Sequence, residues 1–144
     1  MSLRFTILIN LCLVAMLACD GPHPIVIKEA WIRKILPSQS VTAGYLMLTN
    51  TGEIDDRLLS VSSPGFETVE MHEMAIDDKS VMRMRKSGPV TIATGASLKM
   101  KAGSYHLMLI GPQYVIAAGN DIPLTLNFER AGELTVAARV FEQQ

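Results

Sequence analysis

From residue 25 onward the chain is built of short apolar-rich runs separated by clusters of Gly, Pro, Asn, Asp and Ser. No run sustains the 3.6-residue period of an amphipathic helix, and several alternate with period 2. In Leu124-Thr125-Leu126-Asn127-Phe128-Glu129 the apolar side chains fall on one face of an extended chain and the polar ones on the other. The pattern predicts strands at Ile25–Arg33, Gly44–Asn50, Arg57–Ser62, Thr68–Met74, Val81–Lys86, Ser97–Lys101, Tyr105–Ile110, Leu124–Glu129 and Glu133–Phe141. Strands of this length with no helices between them predict an all-β domain, a two-sheet antiparallel sandwich.

The first residues follow a different rule. Arg4 and the amino terminus precede the apolar run Phe5–Ala18, which has the make-up of a secretory signal and is short for a membrane span. Asp20-Gly21-Pro22-His23-Pro24 then has the composition of a tether, where His23 is a solvated side chain. With 144 residues and 49% hydrophobic content, the remainder can bury a core as one domain without metal or disulfide staples. Because the formal net charge is only −1 and no run of like charge occurs, nucleic acid is excluded as a partner.

Composition changes the picture at one point. The chain has nine methionines, and Met71, Met74, Met82, Met84, Met100 and Met108 crowd into one stretch together with His72 and His106. A general need for flexible core filler would scatter them. In Tyr105-His106-Leu107-Met108-Leu109, His106 and Met108 share a strand face about 7 Å apart, while Leu107 and Leu109 point to the core. Met71-His72-Glu73-Met74 and Val81-Met82-Arg83-Met84 flank the turn-forming Asp77-Asp78-Lys79-Ser80. A hairpin centred on Asp78 would set His72 opposite Met84 and Met74 opposite Met82. Thioethers are soft donors that suit Cu(I), imidazole suits copper and zinc, and the carboxylate groupings that hold hard metals are missing here. Met47, Met71 and Met100 are assigned to packing, and Glu70, Glu73, Arg83 and Arg85 to solvated strand or rim positions. No nucleophile or carboxylate pair accompanies the cluster, so an enzyme is not expected.

The spacing His72, eleven residues, Met84, twenty-one residues, His106, one residue, Met108 resembles the signature of the periplasmic copper chaperone family of PCuAC type, which serves the CuA centre of cytochrome c oxidase. Glu29-Ala30-Trp31-Ile32-Arg33, Thr42-Ala43-Gly44-Tyr45-Leu46-Met47-Leu48-Thr49-Asn50 and Gly103-Ser104-Tyr105-His106-Leu107-Met108-Leu109 resemble that family too. The resemblance spans residues 26 to 141. It implies a cupredoxin-like Greek-key β-sandwich and one Cu(I) ligated by His72, Met84, His106 and Met108. It also implies a monomer that delivers copper to a CuA-containing oxidase subunit or a copper assembly factor. General copper buffering or resistance is the alternative function. An electron-transfer cupredoxin is less consistent, since such sites need a Cys thiolate. Many family members carry a His- and Met-rich C-terminal tail, whereas this chain ends Glu142-Gln143-Gln144, so no second copper site is expected.

Met16-Leu17-Ala18-Cys19 resembles a lipoprotein signal, with Met16 in place of the usual Leu. The resemblance implies cleavage of residues 1–18 before a lipidated Cys19, a tether over 19–24 and a copper-binding domain over 25–144. Cys12, the other cysteine, would leave with the signal. By resemblance to enteric lipoproteins, Asp20 after Cys19 implies a periplasmic protein tethered to the inner membrane.

Overall fold

The structure, a computed structural model, describes residues 24–142. The expected signal, Cys19, His23 and nearly all of the tether lie outside the described residues. Ten strands follow: β1 Ile25–Arg33, β2 Val41–Asn50, β3 Asp56–Ser62, β4 Phe66–Ile76, β5 Met82–Lys86, β6 Val90–Ile92, β7 Ser97–Lys99, β8 His106–Pro112, β9 Asp121–Phe128 and β10 Gly132–Phe141. Nine of them were expected from the pattern. The additional one, β6, is three residues long and follows Gly88-Pro89, so in sequence it reads as loop. Its Val90 and Ile92 nevertheless plug the core beside β3.

The hydrogen-bonded order is β5-β4-β8-β2-β1-β10-β9-β3-β6, with β7 attached to β2. The sandwich therefore forms from one continuous ladder bent over itself, not from two separate sheets. One of its pairs, β1 with β10, is parallel. A bulge between Lys28 and Trp31, with Glu29 at φ 51°, marks where β1 changes course.

Alternation explains why the layers face each other. Ile122, Leu124, Leu126 and Phe128 of β9 are buried at every second position. They meet Leu46 and Leu48 of β2 and Leu107 and Leu109 of β8 in one apolar cluster. The intervening Thr125 hydroxyl faces outward and bonds that of Thr135 at 2.9 Å. Gly44 sits where β2 crosses this core, and a Cβ there would lie 2.8 Å from the Leu109 side chain. Met71 and Met100 are buried core residues, as assigned, whereas Met47 is half-buried on the outer face between Lys28 and Lys99.

Candidate metal centre

β5 is an edge strand whose five residues are all exposed, and β4 lies between it and β8. From Thr68 onward the even-numbered residues of β4 share with those of β5 the outer face of this corner, while Met71, Leu107 and Leu109 face inward. The expected hairpin register is wrong by two residues. The observed partners are Met74 with Met84, Ile76 with Met82 and His72 with Lys86. The cause is the turn. Asp77 Oδ1 accepts from the backbone N–H of Lys79 and of Val81, the Ser80 N–H donates to the Asp77 carbonyl, and Ser80 adopts φ 60°. This is a three-residue hairpin loop with a left-handed last residue, centred on Lys79 instead of Asp78. A shift of two keeps parity, so His72, Met74, Met82 and Met84 still share one face.

Across the other edge of β4, His72 stands directly opposite His106 and Glu70 opposite Met108. The two imidazole rings are 5.9 Å apart between centroids. Met84 reaches from β5 across β4, so that its Sδ lies 3.2 Å from His106 Nε2. The fold thus brings His72, Met84 and His106 from three strands onto one surface. Met108, half-buried, lies two residues along β8 on the same face. Met74 is half-buried beside them and Met82 lies further out, 57% exposed.

Hydrogen bonding fixes which imidazole nitrogens are free. The Ser104 carbonyl, 3.0 Å from His106 Nδ1, can only accept, so in the neutral ring Nδ1 carries the hydrogen and Nε2 presents a lone pair to Met84 sulfur. Two lone-pair atoms at that distance repel in the absence of a cation between them. The Glu70 carboxylate, 2.9 Å from His72 Nε2, likewise accepts. The Lys86 ammonium, with His72 next, holds the Glu70 carboxyl below its ordinary range, so it is ionised. His72 Nδ1 is then the bare nitrogen, and it is buried with no hydrogen-bond partner. A buried polar atom left this way calls for an explanation, and a metal ion is one. Among the described residues no group of three or more His, Cys, Asp or Glu could hold a metal. Two imidazoles among thioethers are what the corner offers, a set matched to a soft monovalent ion.

Sequence reasoning placed Glu70 among solvated charges and assigned no role to Lys86. Both stand at the site, Glu70 against His72 and Lys86 against the other oxygen of Glu70. Glu70 could have been found from its position, two residues before His72 on the same strand face, whereas Lys86 could not, because its approach depends on the hairpin register. On the opposite face Arg85 Nε donates to Glu73 at 2.8 Å, and the Tyr105 hydroxyl and Arg85 together hold the Glu73 carboxyl below the ordinary range. That arrangement braces β4 against β5 and leaves the donor face clear.

The chain has the fold of PCuAC domains. The copper-bound PCuAC domain from PmoF2 superposes with a TM-score of 0.71 at 26% identity, covering 83% of this chain and 94% of that one. The Cu(I)-bound DR1885 protein from Deinococcus radiodurans gives a TM-score of 0.63 at 24% identity over 88% of this chain and 83% of that one. By sequence, the chain belongs to the LpqE-like family, described as "Putative lipoprotein LpqE-like", whose pattern matches residues 25–140. The uncharacterized protein RP573 of Rickettsia prowazekii (strain Madrid E) is 29% identical over 116 residues, 78% of this chain and 64% of that protein. The chain therefore spans a little under two-thirds of that relative's length.

Proposed function

We propose that this chain is an extracytoplasmic carrier of one Cu(I) ion and not an enzyme, with His72, Met84, His106 and Met108 as ligands. The observation that carries the reading is the approach of Met84 sulfur to the bare Nε2 of His106 on a face that also holds His72 and Met108. Imidazole and thioether together favour Cu(I) over Zn(II) and over hard ions. Thioethers cannot form disulfides, which suits an oxidising compartment. Likeness to a copper-bound PCuAC domain adds support from a second direction. The half-exposed Met84 sits on an edge strand, where an incoming donor from another protein can displace it, as a carrier requires and a storage site does not.

The acceptor on this reading is the CuA site of a cytochrome c oxidase subunit or an assembly factor that serves it. Membership of a family described as lipoproteins supports an anchor at Cys19, with residues 1–18 removed, residues 19–24 as the tether and residues 25–144 as the copper-binding domain. The protein would act as a monomer in the periplasm at the inner membrane.

Anaerobic titration with Cu(I) against a chromophoric chelator tests the site. One equivalent should bind without colour, since a filled d shell has no ligand-field bands, and Zn(II) should compete poorly. His106→Ala should abolish competition with the chelator. Two or more equivalents bound, a preference for zinc, or unchanged binding by His106→Ala would overturn the proposal. Mixing the loaded protein with a copper-free CuA domain then tests delivery, and retention of all copper by the carrier would refute it.

A further inference from the structure

The Glu70–Lys86 pair is not among the proposed ligands, yet Glu70 stands in hydrogen-bond contact with one of them, His72. Lys86 lies directly opposite His72 across the β4–β5 ladder, and Glu70 precedes His72 by two residues on the same face. One carboxylate oxygen of Glu70 receives the Lys86 ammonium at 2.6 Å, and the other receives His72 Nε2–H at 2.9 Å. Both oxygens are thus engaged from different directions, and the carboxylate cannot turn away from His72 without also leaving Lys86. The His72 ring is pinned at its outer nitrogen, and its inner nitrogen is buried and unpartnered.

We infer that Glu70, clamped by Lys86, is a positioning residue that makes His72 bind copper through Nδ1 while His106 binds through Nε2. The inference rests on the Cu(I) reading above and extends it to the atoms involved. A carboxylate or carbonyl on the far nitrogen of a ligating imidazole fixes its tautomer, orients the ring and raises its basicity. Here the two rings are served differently: His106 by the Ser104 carbonyl on Nδ1, and His72 by the Glu70 carboxylate on Nε2. The two histidines consequently leave different nitrogens free, Nδ1 on His72 and Nε2 on His106. If His72 instead used Nε2, it would have to abandon Glu70 on loading and leave the carboxylate facing Lys86 alone.

The test begins without metal. Long-range proton–nitrogen correlation spectra of the 15N-labelled protein should show His72 protonated at Nε2 and His106 at Nδ1. Adding one equivalent of Cu(I), which is diamagnetic, should shift the resonances of His72 Nδ1 and His106 Nε2. Glu70→Ala should remove the His72 tautomer preference and weaken Cu(I) binding by about 10- to 100-fold. Glu70→Gln, whose amide oxygen still accepts from Nε2–H, should restore the tautomer and most of the affinity. An unchanged backbone amide spectrum for both variants would show that the sandwich is intact. A copper-induced shift at His72 Nε2, or a Glu70→Ala protein with wild-type tautomer and affinity, would overturn the inference while leaving the copper carrier standing. Absence of any Cu(I) binding would remove both, although the metal-free tautomers would still report the clamp.

Discussion

Met71 and Met100 in the sandwich core differ from Met82 and Met84 on β5 in everything except chemistry. The first two are 7% and 2% exposed, whereas the second two are 57% and 50% exposed. In the core the thioether is a flexible hydrophobe, and its value lies in apolar area removed from water and in close packing. On the edge strand little area is buried, so stability gives no account of a methionine there. What remains is the sulfur lone pair, aimed in Met84 at an imidazole nitrogen. One residue type thus serves two purposes, and exposure separates them.

Substitutions that separate volume from sulfur test the difference directly. The largest effect should come from Met100→Ala, which opens a cavity in a packed interior and should cost about 2–5 kcal/mol of unfolding free energy. Denaturant melts would read it, and the copper affinity of the folded fraction should hold. Met84→Leu reverses this: Leu keeps apolar bulk on an exposed strand, so the midpoint of unfolding should barely move, yet Cu(I) affinity should drop at least ~10-fold, about 1.4 kcal/mol. If stability and affinity fall together in both variants, the division between core and site methionines is false.

Smaller effects sharpen the boundary. Dilute peroxide should convert Met82 and Met84 of the metal-free protein to sulfoxides well before Met71 and Met100, as peptide mass spectrometry would record, because oxidation follows solvent access. Met82→Leu and Met74→Leu should each change Cu(I) affinity by no more than about threefold, since both stand on the donor face but outside the proposed ligand set. A loss from either as great as that from Met84→Leu would show that the wrong thioether has been assigned. Cys19→Ser should leave the affinity unaltered and move the protein from membrane to soluble fractions with loss of the N-terminal lipid mass. Wild type found soluble with a free, unlipidated N-terminus would end the anchor proposal without touching the copper site.

The sequence carried the β-sandwich and the residues of the candidate site a long way. Apolar runs bounded by turn residues located nine strands, and period-2 alternation set Leu107 and Leu109 inward with His106 and Met108 outward, because side-chain direction in a strand depends only on parity. Parity also survived the error in the β4–β5 hairpin: centring the turn on Asp78 or on Lys79 changes the sum of paired residue numbers by two, so Met84 stays on the face of His72 either way. The turn was found at Asp77–Ser80, but its centre escaped because Asp77 captures two backbone N–H groups and Ser80 adopts a left-handed conformation. That preference is decided by hydrogen bonds, not by hydrophobic pattern. β6 was lost for a related reason, since three residues are too few to show a period and only burial against β3 makes Val90-Thr91-Ile92 a strand.

By itself, then, the sequence determined which side chains share a face and which donors are available, since both follow from residue type and spacing along one strand. Neighbourhood was decided by the tertiary structure. No local feature states that β4 lies between β5 and β8, yet that order is what sets His72 against His106, lets Met84 cross to the His106 nitrogen, and brings Lys86 to the carboxylate that holds His72. Strand order and register are fixed by long-range burial of the opposite face, where Met71, Leu107 and Leu109 join a core contributed by the far half of the sheet. The metal face is assembled as a consequence of how the apolar face packs.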